Sequence, residues 1–330
     1  MAQSRPSCSS TSASTSIPDD NLVCPDCYLG YREFGVAYNA NVPKLIEFCQ
    51  NHGVILKEKF CDYCNSLCRL DTTSKCFRCD KTYVRGHKKR RRCNFKVSIF
   101  RNTWFSYSHV DIETNLYFVV LFLQDFFSYK FVQSELGLSK PTINDWASFC
   151  REVIVNWVFN KCGKIGGPGK TVEIDESKFG RRKYNVGRVV EGQWVFGGIC
   201  RETRESFMVP VPDRTGDTLL AIIRENIEPG ITIISDCWRA YDCLESEGYK
   251  HLKVNHSLNF VDPDTGAHTN TIERRWRDVK NLVPKYGRRK AHFVGYLSVS
   301  YFKLYYRDTR RRLHHFLHAA AKLYPPTGSA

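Results

Sequence analysis

Three acidic residues in the second half of the chain have the setting of an active site. Asp175 follows a β-branched run in TVEIDESKFG, Asp236 ends another in ITIISDCWRAY, and Glu273 lies in AHTNTIERRWRDVK, which has helical spacing. Hard divalent cations prefer carboxylate oxygens and leave room for water or a phosphate. The pattern therefore predicts two Mg²⁺ or Mn²⁺ ions about 4 Å apart, an arrangement that stabilises both ends of a phosphodiester displacement.

Each acid has an expected role in this site. We expect Asp175 to bridge both ions, Asp236 to hold one and Glu273 to hold the other. Taken singly, each has a plainer interpretation: an Asp after an apolar strand is often a turn former, and a Glu in a basic helix often belongs to a surface ion pair. Glu176 is also a rival ligand beside Asp175. The order of the three acids along the chain favours the catalytic interpretation.

Basic and polar side chains accompany the acids. If the helix of Glu273 starts near Thr271, Arg277 and Lys280 fall on the same face as Glu273, where they can meet DNA phosphates. The expected DNA contacts near the acids are Lys178, Arg181, Arg182, Arg277 and Lys280. His256, His268 and Asn270 are expected to support Glu273 or to bind a phosphate; equally, both histidines can stabilise the loop and Asn270 can cap the helix.

The segments after residue 170 predict the elements that position these side chains. TVEIDESKF, QWVFGGICRE and SFMVPVPD predict three strands, followed by a helix over 218–226, the strand ITIISD, a helix over 240–247, the strand HLKVN and the helix of Glu273. This order is that of an α/β domain of the ribonuclease H-like class, a mixed sheet flanked by helices. Its first and fourth strands are neighbours, so we expect Asp175 and Asp236 to face each other.

Cysteines crowd into one short stretch before this domain. Two C-x2-C pairs and a later cysteine predict a zinc ribbon, because four thiolates can close a tetrahedron around Zn²⁺ and hold a unit too small for its own core. The expected ligands are Cys61, Cys64, Cys79 and Cys93, with Cys76 as the alternative. Cys68 is a spare thiol, and unligated or redox-active cysteines are the other interpretation.

An earlier pair, Cys24-Pro-Asp-Cys27, is ambiguous. A single C-x2-C is compatible with a metal ligand pair and with solvent-exposed thiols in a turn.

A helix-turn-helix is expected between the ribbon and the catalytic domain. Gly137 marks the turn, and Ser139 caps a second helix whose early residues Lys140, Thr142 and Asn144 face outward, as in a recognition helix in a major groove. An ordinary helical hairpin gives the same pattern. A basic run inside the ribbon is a further expected phosphate contact or nuclear import signal; it consists of Lys88, Lys89, Arg90, Arg91 and Arg92.

Bulk composition agrees with a nucleic-acid partner. The chain has 330 residues, a formal net charge of +15 and a pI near 9.2, which predicts a polyanionic partner, although charge alone does not say which one. The first residues lack the apolar core of a secretory signal, and the apolar run Leu116–Phe127 is too short to span a bilayer. We therefore expect no membrane association and a nuclear location.

Composition and turn signals divide the chain into six parts. We expect a disordered tail over 1–20, a small helical segment over 21–58, the zinc ribbon over 59–104, the helix-turn-helix region over 105–162, the catalytic domain over 170–312 and a C-terminal tail over 313–330.

Motifs in the second half of the chain resemble those of a known protein family. DESKFGRRKYNVGR, WVFGGICRET, SDCWRAY, VNHSLNFVDPDTGAHTNTIERRWRDVK and YLSVSYFKLYYRD resemble the catalytic domain of Merlin-type DNA transposases and their bacterial insertion-sequence relatives. The resemblance runs from about Val172 to Asp308 and continues upstream through SIFRNTWF. It implies a DDE transposase that acts on terminal inverted repeats, with the triad on Asp175, Asp236 and Glu273.

Cut-and-paste transposition is the expected activity. A water molecule cuts at the transposon end, and the freed 3′-hydroxyl attacks target DNA at the same metal pair. Two ends must be paired, so a homodimer or larger assembly is expected. The alternatives are a domesticated DNA-binding protein without cleavage and a metal-dependent nuclease that cuts without joining.

Overall fold

Two short helices open the described part of the chain. The computed structural model describes Cys24 and residues 27–85, 89–125, 127–180, 192–237, 239–255, 260–284 and 289–327. Helix α1 spans Tyr31–Tyr38 and helix α2 spans Val42–Asn51. The side chain of Asn41 accepts a hydrogen bond from the backbone N–H of Lys44 and so caps α2. The predicted tail over 1–20 lies outside the described residues.

Five short strands follow these helices. They are β1 (Arg69–Asp71), β2 (Cys76–Arg78), β3 (Thr82–Arg85), β4 (Lys89–Arg92) and β5 (Lys96–Ser98). Strands β1, β2 and β5 form an antiparallel sheet with β2 in the middle, and β3 pairs with β4 as a separate hairpin. Strands of three or four residues bury too little surface to hold such a unit together without a further link.

A helical layer comes next in the chain. Helix α3 spans Ile112–Leu123 and is buried along most of its length, as expected for a core helix. The carboxylate of Asp111 caps it by accepting from the backbone N–H and the hydroxyl of Thr114. No helix in the described ranges is both long and apolar enough to cross a membrane.

The predicted pair of helices around Gly137 is present. Helix α4 spans Tyr129–Leu136 and helix α5 spans Lys140–Lys161. Gly137 ends α4 with a φ of 64°, a left-handed conformation that glycine adopts without strain. The Ser139 hydroxyl accepts from the backbone N–H of Thr142 and caps α5.

A five-stranded mixed sheet forms the second half of the molecule. Its elements are β6 (Thr171–Phe179), β7 (Gln193–Cys200), β8 (Ser206–Val211), helix α6 (Gly216–Asn226), β9 (Thr232–Asp236) and β10 (Lys250–Val254). The strand order is β10-β9-β6-β7-β8, with β6, β9 and β10 parallel and β7 antiparallel to both its neighbours. As expected, the first and fourth strands of this sheet, β6 and β9, are adjacent.

The helix expected over 240–247 is absent from the structure. A single 3-10 turn, Arg239–Tyr241, replaces it, and the following residues form turns. Their backbone hydrogen bonds span mostly three residues, for example from the N–H of Leu244 to the carbonyl of Tyr241. The segment ends at Gly248, whose φ of 84° is left-handed. The connection is therefore built of successive tight turns instead of an α-helix.

Helices cover both faces of the sheet. Alternate residues of β6 point to opposite sides: Val172 and Ile174 pack with α6, while Phe179 packs with the two helices that follow the sheet. These are α7 (Asn270–Leu282) and α8 (Phe293–Tyr305). Helix α8 also packs against α5, which joins the sheet domain to the helical layer.

The prediction of a C-terminal tail over 313–330 is wrong. Residues Arg312–Leu323 form helix α9, and its Phe316 and Leu317 are completely buried in the core that contains α1, α2, α3 and α5. Arg312 is 2% exposed and donates to the backbone carbonyls of Leu123, Lys303 and Tyr306. Its buried guanidinium is thus hydrogen-bonded, which makes its burial tolerable. The apolar residues of α9, spaced by three and four, outweigh its basic character.

Candidate active site

Strand β6 presents carboxylates on both faces of the sheet. Glu173 and Asp175 point towards α7, because Glu173 contacts the start of that helix and Asp175 contacts Trp276. Glu176 points to the opposite face, where the hydroxyl of Tyr241 donates to it. Residues two apart on a strand share a face, so Asp175, rather than its rival Glu176, faces the helix of Glu273.

Asp175 and Asp236 lie level with each other on neighbouring parallel strands. In the pairing of β6 with β9, Glu173 is opposite Ile234. Continued by two residues, this register places Asp175 beside Asp236, the last residue of β9, at one strand spacing of about 4.8 Å between backbones.

Glu273 reaches the same place from the first turn of α7. It is exposed, and its carboxylate accepts a hydrogen bond from the Thr269 hydroxyl at 3.2 Å. Its charge acts on Asp175, as does that of Asp236: burial is the main cause that raises the pKa of Asp175 to about 7, and these two carboxylates raise it as well. Three acids therefore converge where their charges repel, and bound cations would relieve that repulsion.

Glu176 has a different environment. Burial raises the pKa of Glu176 to about 8, and the charges of Asp175 and Asp236 add to the effect. The Arg214 guanidinium opposes this shift, and the Tyr241 hydroxyl donates to the Glu176 carboxylate. Glu176 thus completes the acidic cluster from the α6 side of the sheet.

Trp276 holds Asp175 from the helix side. Its indole Nε1–H donates to Asp175 Oδ2 at 3.0 Å. The ring fits because Gly197 is opposite Asp175 on β7: a Cβ at Gly197 would lie 2.7 Å from the Trp276 ring and 2.9 Å from the Phe207 carbonyl oxygen. Trp276 was not among the predicted residues, although its place three residues after Glu273 puts it on an adjoining part of the same helix face.

Glu173 anchors the start of α7. It is completely buried, and its Oε2 accepts from the backbone N–H groups of Thr271 and Ile272 at 2.8 and 2.9 Å. Its Oε1 pairs with Arg201 Nε at 2.6 Å. The carboxylate thus satisfies N–H groups that a helix start leaves unpaired and complements the helix dipole. Sequence reasoning missed this role; the available signal was an acid inside the β-branched run, two residues before Asp175.

Two of the expected supporting residues lie at the same helix start. Arg201 Nη2 donates to the His268 carbonyl at 2.5 Å and lies 2.9 Å from His268 Nδ1. His268 thereby belongs to the cluster around Glu173. Thr269, rather than Asn270, occupies the N-cap position, and Asn270 is the exposed first residue of α7. The capping role considered for Asn270 is therefore wrong, and His256 lies outside the described residues.

The expected DNA-contacting cations are partly described. Burial lowers the pKa of Lys280 and the charge of Asp175 opposes that shift, which places the lysine within electrostatic reach of the acids. Arg277 and Lys178 are exposed. In the recognition-helix region, Lys140 and Asn144 are exposed, and Thr142 is half-buried with its hydroxyl 2.8 Å from that of Ser139.

The other basic residues expected to contact DNA belong to the run 88–92 and to the segment after β6. Arg91 and Arg92 are exposed. Lys88, Arg181 and Arg182, together with the side chains of Lys89 and Arg90, lie outside the described residues.

A second cluster, of four thiols, lies in the segment with strands β1–β5 that was expected to form a zinc ribbon. The sulfurs of Cys61, Cys64, Cys79 and Cys93 all lie within 4.8 Å of one another. Cys61 Sγ is 3.5 Å from Cys93 Sγ, and Cys64 Sγ is 3.4 Å from Cys79 Sγ. This set is the expected one. The alternative ligand Cys76 is outside it and contacts the Ser74 carbonyl. Four thiols at these separations suit a tetrahedral soft-metal site.

The chain matches a known family over the sheet domain. Residues 165–304 match the ISXO2-like transposase domain. Over 93 residues the chain is 35% identical to a protein of Haemophilus influenzae described as an uncharacterized transposase-like protein. The match covers 28% of this chain and 74% of that relative. The chain belongs to the ISXO2-like transposase family. All three acids of this transposase fall inside the matched range.

A solved structure also overlaps with the transposase. The catalytic core domain of BIV integrase is 13% identical in sequence, with a TM-score of 0.28. The overlap covers 39% of this chain and 80% of the integrase chain.

The proton affinity of Asp175 predicts how stability depends on pH and metal. Its pKa is raised above the usual value of 3.8, so the folded chain binds more protons than the unfolded chain between about pH 4 and 7. This contribution to stability is complete at low pH and is lost as the pH rises through about 7. In magnesium-free buffer, Asp175→Asn should therefore raise the Tm relative to wild type at pH 8 but not at pH 4.

Divalent cations should reverse that difference. Mn²⁺ or Mg²⁺ should raise the Tm of wild type at pH 8 and leave Asp175→Asn unchanged, because a ligand that binds only the folded state stabilises it. Asp242→Asn, at an exposed acid paired with Lys253, is the control and should respond like wild type. An equal response of wild type and Asp175→Asn to the cations would contradict a metal site at Asp175.

The anchoring role of Glu173 predicts a large effect on stability. Glu173→Ala leaves Arg201 without its buried partner and the start of α7 without its acceptor, so the free energy of unfolding should fall by about 3–5 kcal/mol. Urea denaturation followed by tryptophan fluorescence measures this. Glu245→Ala, at an exposed position, should change stability by less than about 0.5 kcal/mol. Similar losses for both variants would rule out the anchor.

Proposed function

We propose that the protein is a DDE transposase that cuts and joins DNA by cut-and-paste transposition. The observation that supports this best is the convergence of Asp175, Asp236 and Glu273 from β6, β9 and α7. The strand order β10-β9-β6-β7-β8 supports a ribonuclease H-like catalytic domain, and membership in a transposase family supports DNA as the substrate. The closer assignment to the Merlin type belongs to the same proposal.

The donor set fits two Mg²⁺ or Mn²⁺ ions. Asp175, which feels the charges of both other acids, would be the shared ligand, and Asp236 and Glu273 would each hold one ion. Such a pair supplies an activated water or 3′-hydroxyl and stabilises charge on the leaving oxygen. The carboxylates, which repel one another without metal, would hold the ions through their oxygens.

Residues of the chain orient the acids and the DNA. The indole N–H of Trp276 fixes one oxygen of Asp175, and the backbone N–H of Glu176 also donates to this carboxylate. Lys280, two turns along α7 from Glu273, contacts a phosphate beside the ions, with Arg277 on the adjacent turn. Lys178 lies on the opposite face of β6, with its ammonium 5.3 Å from the centre of the Trp194 ring, and with Arg181 and Arg182 it is a further proposed phosphate contact. Phosphate contacts of this kind set the register of DNA without reading its sequence.

Specificity for the terminal inverted repeats comes from the N-terminal half. The first turn of α5 carries Lys140, Thr142 and Asn144 and acts as the start of a recognition helix. The ribbon, closed by Zn²⁺ on its four clustered thiols, presents Arg91 and Arg92 with the rest of the run 88–92. Domain boundaries at 59–104, 105–162 and 170–312 follow from this division.

Two further parts of the proposal concern the cell. The paired ends of a transposon require a homodimer or larger assembly. The basic run 88–92 also serves as a nuclear import signal, which gives the protein a nuclear location, where its DNA substrate lies.

A strand-cleavage assay tests the enzymatic proposal. A labelled duplex carrying the terminal repeats that flank the gene is incubated with the protein, a target plasmid and Mg²⁺ or Mn²⁺. Cleavage and joining are expected, and Asp175→Asn, Asp236→Asn and Glu273→Gln should each reduce both to background while DNA binding persists. Asp242→Asn is the matched control and should retain activity.

The outcomes separate the three candidate functions. Binding without cleavage in either metal would overturn the enzyme and favour a domesticated regulatory protein. Cleavage without joining would favour a nuclease. Cleavage that survives all three substitutions would place the catalytic site elsewhere.

The ribbon makes a separate prediction. Cys61→Ser should lower the zinc content by one ion per chain and weaken DNA binding, because the strands of this unit are too short to hold it without metal. Cys68→Ser is the matched control: Cys68 is a buried thiol of the same unit that lies outside the four-sulfur group, and the variant should keep its zinc. Atomic absorption measures both variants. Full zinc content in Cys61→Ser would contradict the assignment.

A further inference from the structure

A third cluster of metal-ligating side chains lies far from the sheet domain, in the core of the helical layer. It joins Cys24 and Cys27 near the start of the described chain to His52, which follows α2, and to His314 and His318 on α9. None of these residues belongs to the ribbon or to the acidic site. The two thiols therefore do not lie exposed in a turn, as one interpretation of the sequence allowed.

The ligand atoms of this cluster converge on one point. Cys24 Sγ lies 3.1 Å from His314 Nδ1, 3.4 Å from His52 Nε2 and 3.0 Å from Cys27 Sγ. Cys27 Sγ is 3.0 Å from His314 Nδ1. The donor atoms of Cys24, His52, His314 and His318 all lie within 4.8 Å of one another. Ligands of a tetrahedral Zn²⁺ are separated by about 3.3–3.8 Å, given Zn–N and Zn–S bonds of about 2.0–2.3 Å, so a small expansion admits the ion.

The orientation of His52 supports a metal ligand. Its Nδ1 lies 2.7 Å from the Phe48 carbonyl oxygen, an acceptor that requires the proton on Nδ1. The lone pair then belongs to Nε2, the atom that faces Cys24. A second hydrogen bond that fixes the tautomer in this way is the usual support of a metal-bound imidazole. His52 is only 2% exposed, so this orientation is set by the core rather than by solvent.

The spacing of the residues is also that of a metal site. Cys24 and Cys27 form a C-x2-C pair whose backbone closes with a hydrogen bond from the N–H of Cys27 to the carbonyl of Cys24. His314 and His318 are four residues apart on α9 and share one face of it. A disulfide does not explain the cluster, because the two sulfurs are 3.0 Å apart rather than about 2.05 Å. It would also not account for the histidines that surround the thiols.

We propose that this cluster is a second zinc site, with Cys24, His52 and His314 as ligands and either Cys27 or His318 completing the tetrahedron. Its ligands come from the N-terminal segment, the end of α2 and α9, and 290 residues separate Cys24 from His314. A zinc ion here ties the N-terminal segment and α2 to α9, and so stabilises the layer that carries the expected recognition helix. It does so independently of the acidic site and of strand cleavage.

Zinc stoichiometry of the full chain tests the site. Purified wild type should hold two zinc ions per chain by atomic absorption. Cys24→Ser and His314→Ala should each hold one, while Cys61→Ser should lose only the ribbon ion. Cys162→Ser and His109→Ala replace an exposed thiol and an exposed imidazole and should keep both ions.

The zinc content of the wild-type protein tests the site even where a variant fails to fold. One zinc per chain in wild type, absent from Cys61→Ser, would overturn the site. His52→Cys offers a conservative check: it should keep two metals and strengthen the sulfur-to-metal charge-transfer band of the cobalt-substituted protein. Loss of zinc in either Cys27→Ser or His318→Ala identifies the fourth ligand. These readouts do not depend on whether the protein cuts DNA.

Discussion

The candidate active site depends on one buried carboxylate that takes no part in the proposed chemistry. Glu173 joins the central strand β6 to the first turn of α7 and pairs with Arg201 on the way. Strand pairing alone aligns Asp175 with Asp236, whereas Glu273 belongs to a helix that reaches the sheet after a long polar loop. The contact of Glu173 with that helix is what brings the third acid to the other two.

This arrangement places attraction and repulsion side by side at the start of α7. Around Glu173, a buried negative charge is offset by a guanidinium and by backbone N–H groups. Two residues further along β6, Asp175 faces the negative charges of Asp236 and Glu273. Its hydrogen bond from this side comes from the uncharged Trp276 indole. The fold therefore spends stability to hold like charges together, which is typical of a site that has a cation to bind.

How much could be predicted from the sequence depended on how far apart in the chain the interacting residues lie. Asp175 and Asp236 each follow or end an apolar strand, and the order of strands predicts their adjacency. The Gly137 turn and the Ser139 cap could be predicted because each depends only on neighbouring residues. Glu173 was missed because its partners lie about a hundred residues away, and Trp276 because its room is made by Gly197 on another strand. The basic residues that begin α9 obscured its apolar face, which only the packed core makes evident.

Helix α9 also bears on how the protein is made. Its side chains complete a core that includes α1, α2, α3 and α5, which are synthesised much earlier. Contacts of such sequence separation form late and slowly. Until α9 has been synthesised, the helices of the first half expose the apolar surface that α9 will cover. The unit expected to recognise DNA thus completes its core only after α9 has been synthesised, and a chain broken before residue 312 would leave that core uncovered.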